Sequence, residues 1–281
     1  MLTLTSVEIN AWIAALLWPL SRILGLVAAA PLFGNAGVPI RVKVLLGVFL
    51  ALVIAPLVPA LPAADPTSWA GLLILVKEMI IGLAMGFAMR LVFAAIEYAG
   101  EVASQTMGLG FAVFFDPSTR GRSSAVSQFM ALVATMAFLA VNGHLVLLEA
   151  LAESFITMPI TDTPFSSNAA LELARWGGRI FSAGLQLAMP IIAALLITQV
   201  ALGILTRAAP QLNIFGIGFP ITLGVGFLTL SLVLPYLGAP IVNLFNQGIE
   251  TTRSLPRAGN PQPRAPGAPA LSPAPAAPAP G

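Results

Sequence analysis

Cysteine is absent from the 281-residue chain, which removes disulfides, thiolate metal sites and thiol redox chemistry from consideration. Histidine occurs once, as His144 in VNGHLVLL. A lone histidine inside a helix reads as a hydrogen-bonded packing residue, and a nucleophile–base pair would need a second partner that is not nearby. Neither a GxxxxGK[ST] phosphate loop nor an HExxH zinc motif occurs, so no cofactor and no enzymatic reaction are expected. Charge is also scarce, at 9% of residues where a soluble domain carries about 25%. The net charge is only +2 and the basic residues are scattered, which excludes a nucleic-acid partner. No Lys or Arg precedes Arg22, so the opening MLTLTSVEINAW lacks the basic region of a signal peptide and the first apolar segment is expected to be retained.

What is present is apolar: 58% of the residues, with a mean hydropathy of +0.93. A hydrocarbon core of about 30 Å needs roughly 20 apolar residues per crossing. Six segments qualify, at about 11–33, 42–61, 69–104, 125–150, 181–207 and 214–248, separated by clusters of Pro, Gly, Asn and Asp. The sequence thus predicts an all-α, membrane-associated protein of about six long hydrophobic helical segments arranged as hairpins. A continuous helix over 69–104 would be roughly 54 Å long at 1.5 Å per residue, far beyond the bilayer core. The last segment carries Pro220, Pro235 and Pro240 and is expected to be kinked or split. From Ser254 onward the composition becomes Pro-, Ala- and Gly-rich, which predicts a disordered tail over 254–281 behind a helical unit over 1–253. Loop charges place odd-numbered connections in the cytoplasm, whereas Arg253, Arg257 and Arg264 place the tail there instead; the two indications conflict.

Ionisable residues within apolar helices face a bundle interior or water, because exposure to lipid is costly. In the third segment Gly82, Gly86, Arg90, Glu97, Glu101 and Gln105 follow at steps of four or seven, so most of them share one helix face. Small residues at one end permit close backbone approach. The charged end reads as a pore-lining or subunit-contact stripe, or as an internal salt-bridged seam or a helix protruding into water. Lys77 and Glu78 are placed off that stripe, and they and Arg22 are each expected to find a local partner.

The stretch QTMGLGFAVFFDPSTRGRSS, residues 105–124, is too apolar for a wet loop and too rich in Gly and Pro for a helix. Non-helical backbone cannot face lipid, so such a loop must be buried in protein or line a water-filled cavity. Gly108 and Gly110 permit backbone angles closed to other residues, and Asp116-Pro117 favours a turn.

Several motifs coincide in order: SRILGLVAAAPLFGNAGVPIRVK (21–43), KEMIIGLAMGFAMRLVF (77–93), QTMGLGFAVFFDP (105–117), FLAVNGHLVLLEALAESF (138–155) and RAAPQLNIFGIGFP (207–220). Together they resemble the FliR family of flagellar export-gate proteins, which has counterparts in virulence injectisomes. The resemblance spans about residues 8–250, and the run from Pro210, Gln211 and Asn213 through Phe215 is its most specific part.

The resemblance implies a FliP-like part to about residue 180 and a FliQ-like part over about 181–250, within a hetero-oligomeric helical gate. Its implied partners are FliP-like, FliQ-like and FlhB-like subunits, unfolded export substrates and membrane lipid. The implied location is the export apparatus of the flagellar basal body in the bacterial inner membrane. It also implies that residues 108–122 plug the gate, with Phe111, Phe114 and Phe115 as seal and Gly108 and Gly110 as hinge. Gly82 and Gly86 would then serve helix packing, Arg90, Glu97 and Glu101 neighbouring subunits, and Gln211, Asn213 and Phe215 a helical hairpin after Pro210. An injectisome subunit, a self-contained transporter or channel, and an intramembrane enzyme are the competing readings.

Overall fold

The computed structural model describes residues 6–35, 37–59, 61–62, 64–111, 123–163, 167–209 and 214–259. Helices make up its regular structure: α1 (Ser6–Ala29), α2 (Ile40–Ile54), α3 (Trp69–Thr106), α4 (Ala125–Ala140), α5 (Gly143–Thr157), α6 (Ser167–Ala208) and α7 (Phe219–Gly259), with no strand among the described residues. Five of these helices, α1 with its neighbours α2, α3, α6 and α7, include or adjoin stretches long and apolar enough to cross a membrane. The pair α4 and α5 meets the same criterion only together and is bent by 67° at its break.

That bend corrects the single segment expected at 125–150. Asn142 sits at φ 55°, a left-handed conformation that ends α4 within one residue. The next residue must be small, since a Cβ on Gly143 would run into the Phe138 ring. Two further boundaries move. The fifth segment begins at Ser167 rather than 181, so the junction expected near 181 lies inside a continuous helix. The last helix keeps its hydrogen-bonded course through Pro235, Pro240 and Pro256 to Gly259, and residues 254–259 therefore belong to the helix, not to the tail. Proline removes one donor per site, and in apolar surroundings helix remains the geometry that satisfies the rest of the backbone.

Local chemistry sets the start of α3. Ser68 accepts a hydrogen bond from the Gly71 amide at 3.1 Å as its N-cap. Just before it, Asp65 accepts from the amide and hydroxyl of Thr67 at 2.9 and 2.8 Å, which holds the Asp65 carboxyl below its ordinary range.

Helix α3 is the centre of the molecule and packs against α1, α4, α6 and α7. Its approach to α1 is governed by missing side chains. A Cβ on Gly82 would overlap the Arg22 carbonyl oxygen, one on Gly86 would lie 2.8 Å from the Leu26 carbonyl oxygen, and one on Gly25 would lie 2.5 Å from that of Met79. Apolar burial between helices gains little in lipid, so close backbone packing of this kind carries the association. Two turns beyond Gly86 along α3, Phe93 meets Phe138 and Phe245 and joins α3, α4 and α7, with ring centroids 5.2–5.5 Å apart.

A charged cluster lies inside this bundle. Arg22 and Glu78 are both fully buried, and the guanidinium donates from Nε to Oε2 of Glu78 at 2.6 Å. Its Nη1 and Nη2 donate to the carbonyls of Ser154 and Met158 at 2.8 and 2.9 Å, at the carbonyl-rich end of α5 where a cation is favoured. The Phe155 ring lies 4.3 Å below. Lys77 donates to the Thr161 carbonyl at 2.5 Å and to that of Thr163 at 3.2 Å, fixing the start of the α5–α6 connection. The expectation of local partners for Arg22, Lys77 and Glu78 matches these contacts. Glu78 is not off the small-residue face, however: it stands one turn before Gly82 and faces α1 with it. His144 differs from expectation too, as its buried Nδ1 has no hydrogen-bond partner among the described residues.

Candidate functional site

The 105–124 stretch begins where α3 ends, and both of its feet are tied to the same helix end. The last carbonyls of any helix lack partners within it. Here the two arms of the α6–α7 hairpin supply them: Gln199 Nε2 of α6 donates to the Thr106 carbonyl at 3.2 Å, and Thr222 Oγ1 of α7 to that of Met107 at 3.3 Å. The Met107 side chain is fully buried and lies against Gly226, one turn beyond Thr222 on α7. The chain then leaves the helical register at Gly108, whose φ of 88° is closed to most side chains, and makes a single tight turn over Leu109–Phe111.

The returning foot is Ser124. Its amide donates to Oε2 of Glu101 on α3 at 3.2 Å, and its hydroxyl caps α4 through the Ser127 amide at 3.1 Å. Ser127 in turn donates to the Glu97 carbonyl at 3.0 Å. A Cβ on Gly100 would come within 2.7 Å of the Ser127 Cα, so α4 departs almost in contact with the α3 backbone. The loop thus leaves and rejoins the bundle at one place, the C-terminal turns of α3.

The residues singled out from the sequence fall into four groups. Gly108, Gly110 and Glu101 are at this loop base; Glu101 is half-buried and engaged within the chain, with Gln105 also donating to it at 3.4 Å. Gly82 and Gly86 lie well away from it, in the α1–α3 crossing. Arg90 and Glu97 are exposed on the same helix and feel each other's charge without a direct salt bridge, and Arg90 borders a cleft of about 470 Å³ with Ala28, Phe87 and Leu173. Phe114, Phe115, Asp116, Pro117, Pro210, Gln211 and Asn213 lie outside the described residues, as do the side chains of Phe111 and Phe215. Beyond Pro210 the chain resumes in one π-helical turn, Ile214–Gly218, that leads directly into α7.

Met107, Gln199, Thr222 and Gly226 did not stand out in the sequence. The Thr222–Gly226 spacing of one turn was a signal for a small, polar spot on an otherwise bulky helix, but nothing in it names Met107 as its occupant.

The family described as bacterial export proteins, family 1, matches residues 13–248. The flagellar biosynthetic protein FliR of Pectobacterium carotovorum is 45% identical over 247 residues, covering 88% of this chain and 94% of that protein. FliR of Escherichia coli K12 is 41% identical over 249 residues, again 88% and 94%. The chain belongs to the FliR family. This family membership makes it a flagellar biosynthetic export protein, a structural component of the export apparatus, and its long apolar helices give it a membrane location. FliR of Bacillus subtilis, 30% identical over 83% of the chain and 91% of that protein, shows that the likeness reaches well beyond close relatives. The injectisome, transporter and enzyme readings are not favoured.

Proposed function

We propose that the chain is a non-enzymatic structural and gating subunit of the flagellar protein export channel, and that the loop following Gly108 is the plug of that channel. The observation that carries this reading is the shared base of the loop. Both feet are fixed on the end of α3, so displacing the segment between them leaves the described helices intact. Gly108 and Gly110 serve as the hinge, Phe111, Phe114 and Phe115 as the seal, and Asp116-Pro117 as the turn at which the loop folds back. Bulky apolar side chains at a constriction hold back ions by excluding water.

The outward faces support a place among other export components. Helix α7 alone is about 61 Å long, twice the hydrocarbon thickness, yet it presents Phe227, Leu228, Leu232 and Tyr236 outward along its course. FliP-like and FliQ-like subunits would cover such faces, with the FlhB-like subunit near the C-terminal end, and Arg90 and Glu97 would make polar contacts to these neighbours. Pro210, Gln211, Asn213 and Phe215 would shape the tip of the α6–α7 hairpin. The membrane is then the bacterial inner membrane at the flagellar basal body, and unfolded export substrates are the cargo.

Deleting residues 110–120 tests the plug. The expected result is a complex that still assembles but admits small molecules into the cell. An assembled complex that stays tight would overturn the assignment.

A further inference from the structure

The loop base holds a feature that the plug assignment does not require. At Gly226 a Cβ would lie 2.5 Å from Met107 Cγ, 2.6 Å from its Cε and 3.0 Å from its sulfur, so three successive atoms of one side chain fill the space over this glycine. Met107 is itself fully buried. On the same face of α7, Thr222 holds the Met107 carbonyl, and from α6 Gln199 holds the carbonyl one residue earlier. Backbone and side chain of the last residue before the Gly108 hinge are thus gripped by one hairpin.

We propose that Gly226, Thr222 and Gln199 are positioning residues that form a socket for Met107, through which the α6–α7 hairpin sets the seat of the loop. The proposal rests on the plug reading. Methionine suits the task because its unbranched thioether fills an irregular space closely yet can leave and re-enter it through ordinary rotamers. The hydrogen bonds fix where α3 ends, the methionine fixes the direction in which the chain departs, and the helical register is left at Gly108. A shift of α7 relative to α3 empties the socket and unseats the loop, with no change required in the loop itself.

Gly226→Val in the full chain, assembled with its export partners in cells, is the principal test. The readout is proton leak per assembled complex, followed with a cytoplasmic pH-sensitive fluorescent protein after an acid shift. Leak should rise about tenfold, the response of a seating equilibrium to a loss of about 1.4 kcal/mol. Adding Met107→Ala, which vacates the space that valine takes, should bring leak back below that of the single variant. A merely structural role would lower the amount of complex and leave leak per complex unchanged, and that result overturns the socket.

Because the chain has no cysteine of its own, Met107→Cys with Gly226→Cys gives a clean second measurement. A disulfide should form in the resting complex on mild oxidation and should block export until it is reduced. Absence of the disulfide, or export that continues through it, overturns the socket. The two readings remain separable. A loop deletion that stays tight sinks the plug whatever the cross-link shows, while a leaky deletion without a cross-link sinks the socket alone.

Discussion

Helix α3 and the α6–α7 hairpin are built from similar residues but use them in opposite ways. Of the apolar stretch of α3, 56% is buried within the chain; for α6 and α7 the shares are 22% and 17%. Helix α3 brings Gly82, Gly86, Gly100 and the buried Glu78 to its neighbours, so its contacts are made by backbone approach and by an ion pair. The hairpin turns Ile197, Val200, Ile204, Leu228 and Leu232 outward. Hydropathy is therefore a poor guide to which helix is central. What separates the two regions is where the small and charged residues stand. The chain is half a self-sufficient bundle and half a surface awaiting others.

Substitutions can push on that difference from either side. The largest effect is expected at Glu78→Ala, which leaves the Arg22 guanidinium buried without its carboxylate. Removing one partner of such a pair costs about 3–5 kcal/mol, while replacing both by apolar residues of similar size is often neutral. Glu78→Ala should abolish accumulation in membranes, and Arg22→Met combined with Glu78→Met should restore most of it, both read by immunoblot. A single variant that accumulates normally would show that the pair does not hold the bundle.

Gly82→Val comes next. It forces α1 and α3 apart at the Arg22 carbonyl, and overpacking of this kind costs about 1–3 kcal/mol. The expected observation is a lowered unfolding temperature of the purified chain in detergent.

The smallest effect on the chain itself is expected at Leu232→Ser, on the outward face of α7. A surface change without a partner in the chain is worth within about 0.5 kcal/mol. Unfolding of the isolated chain should be unaltered, while recovery of the other export components with it should fall. Equal loss in both assays would erase the contrast drawn here.

Much of this arrangement was legible in the sequence. The apolar runs predicted the existence of α1 and α2 and the bounds of α3 closely, because lipid leaves the backbone little choice but helix; the expected 42–61 overran α2, which ends at Ile54. The same constraint decides between the two expectations for the last segment, kinked or split, against the split: the helix passes through Pro235 and Pro240. The break at Asn142 was missed because asparagine, which enters the left-handed region more readily than most residues, does so without a distinctive neighbourhood. Arg22 and Glu78 are 56 positions apart, and no periodicity links two helices that far apart in the chain. Scarcity was the usable clue: Arg22 is the one charge in the first apolar segment and has every reason to meet a carboxylate of the third. The loop was conspicuous by composition and its socket was not, since Gly226 and Met107 acquire meaning only when α7 is laid beside the end of α3.

One geometric fact about α7 has mechanical weight. Near its far end Arg253 and Arg257 pair with Glu149 and Glu153 of α5 at 2.7–3.4 Å, and near its beginning Gly226 seats Met107. Between Gly226 and Arg253 the helix runs without interruption for about 40 Å at 1.5 Å per residue. It is a lever with a charged handle: rocking the handle by about 5° sweeps the Gly226 end through roughly 3.5 Å, the width of a side-chain contact. Under the plug reading, a partner that took hold of the arginine end would act on the loop base through one helix, about 40 Å away.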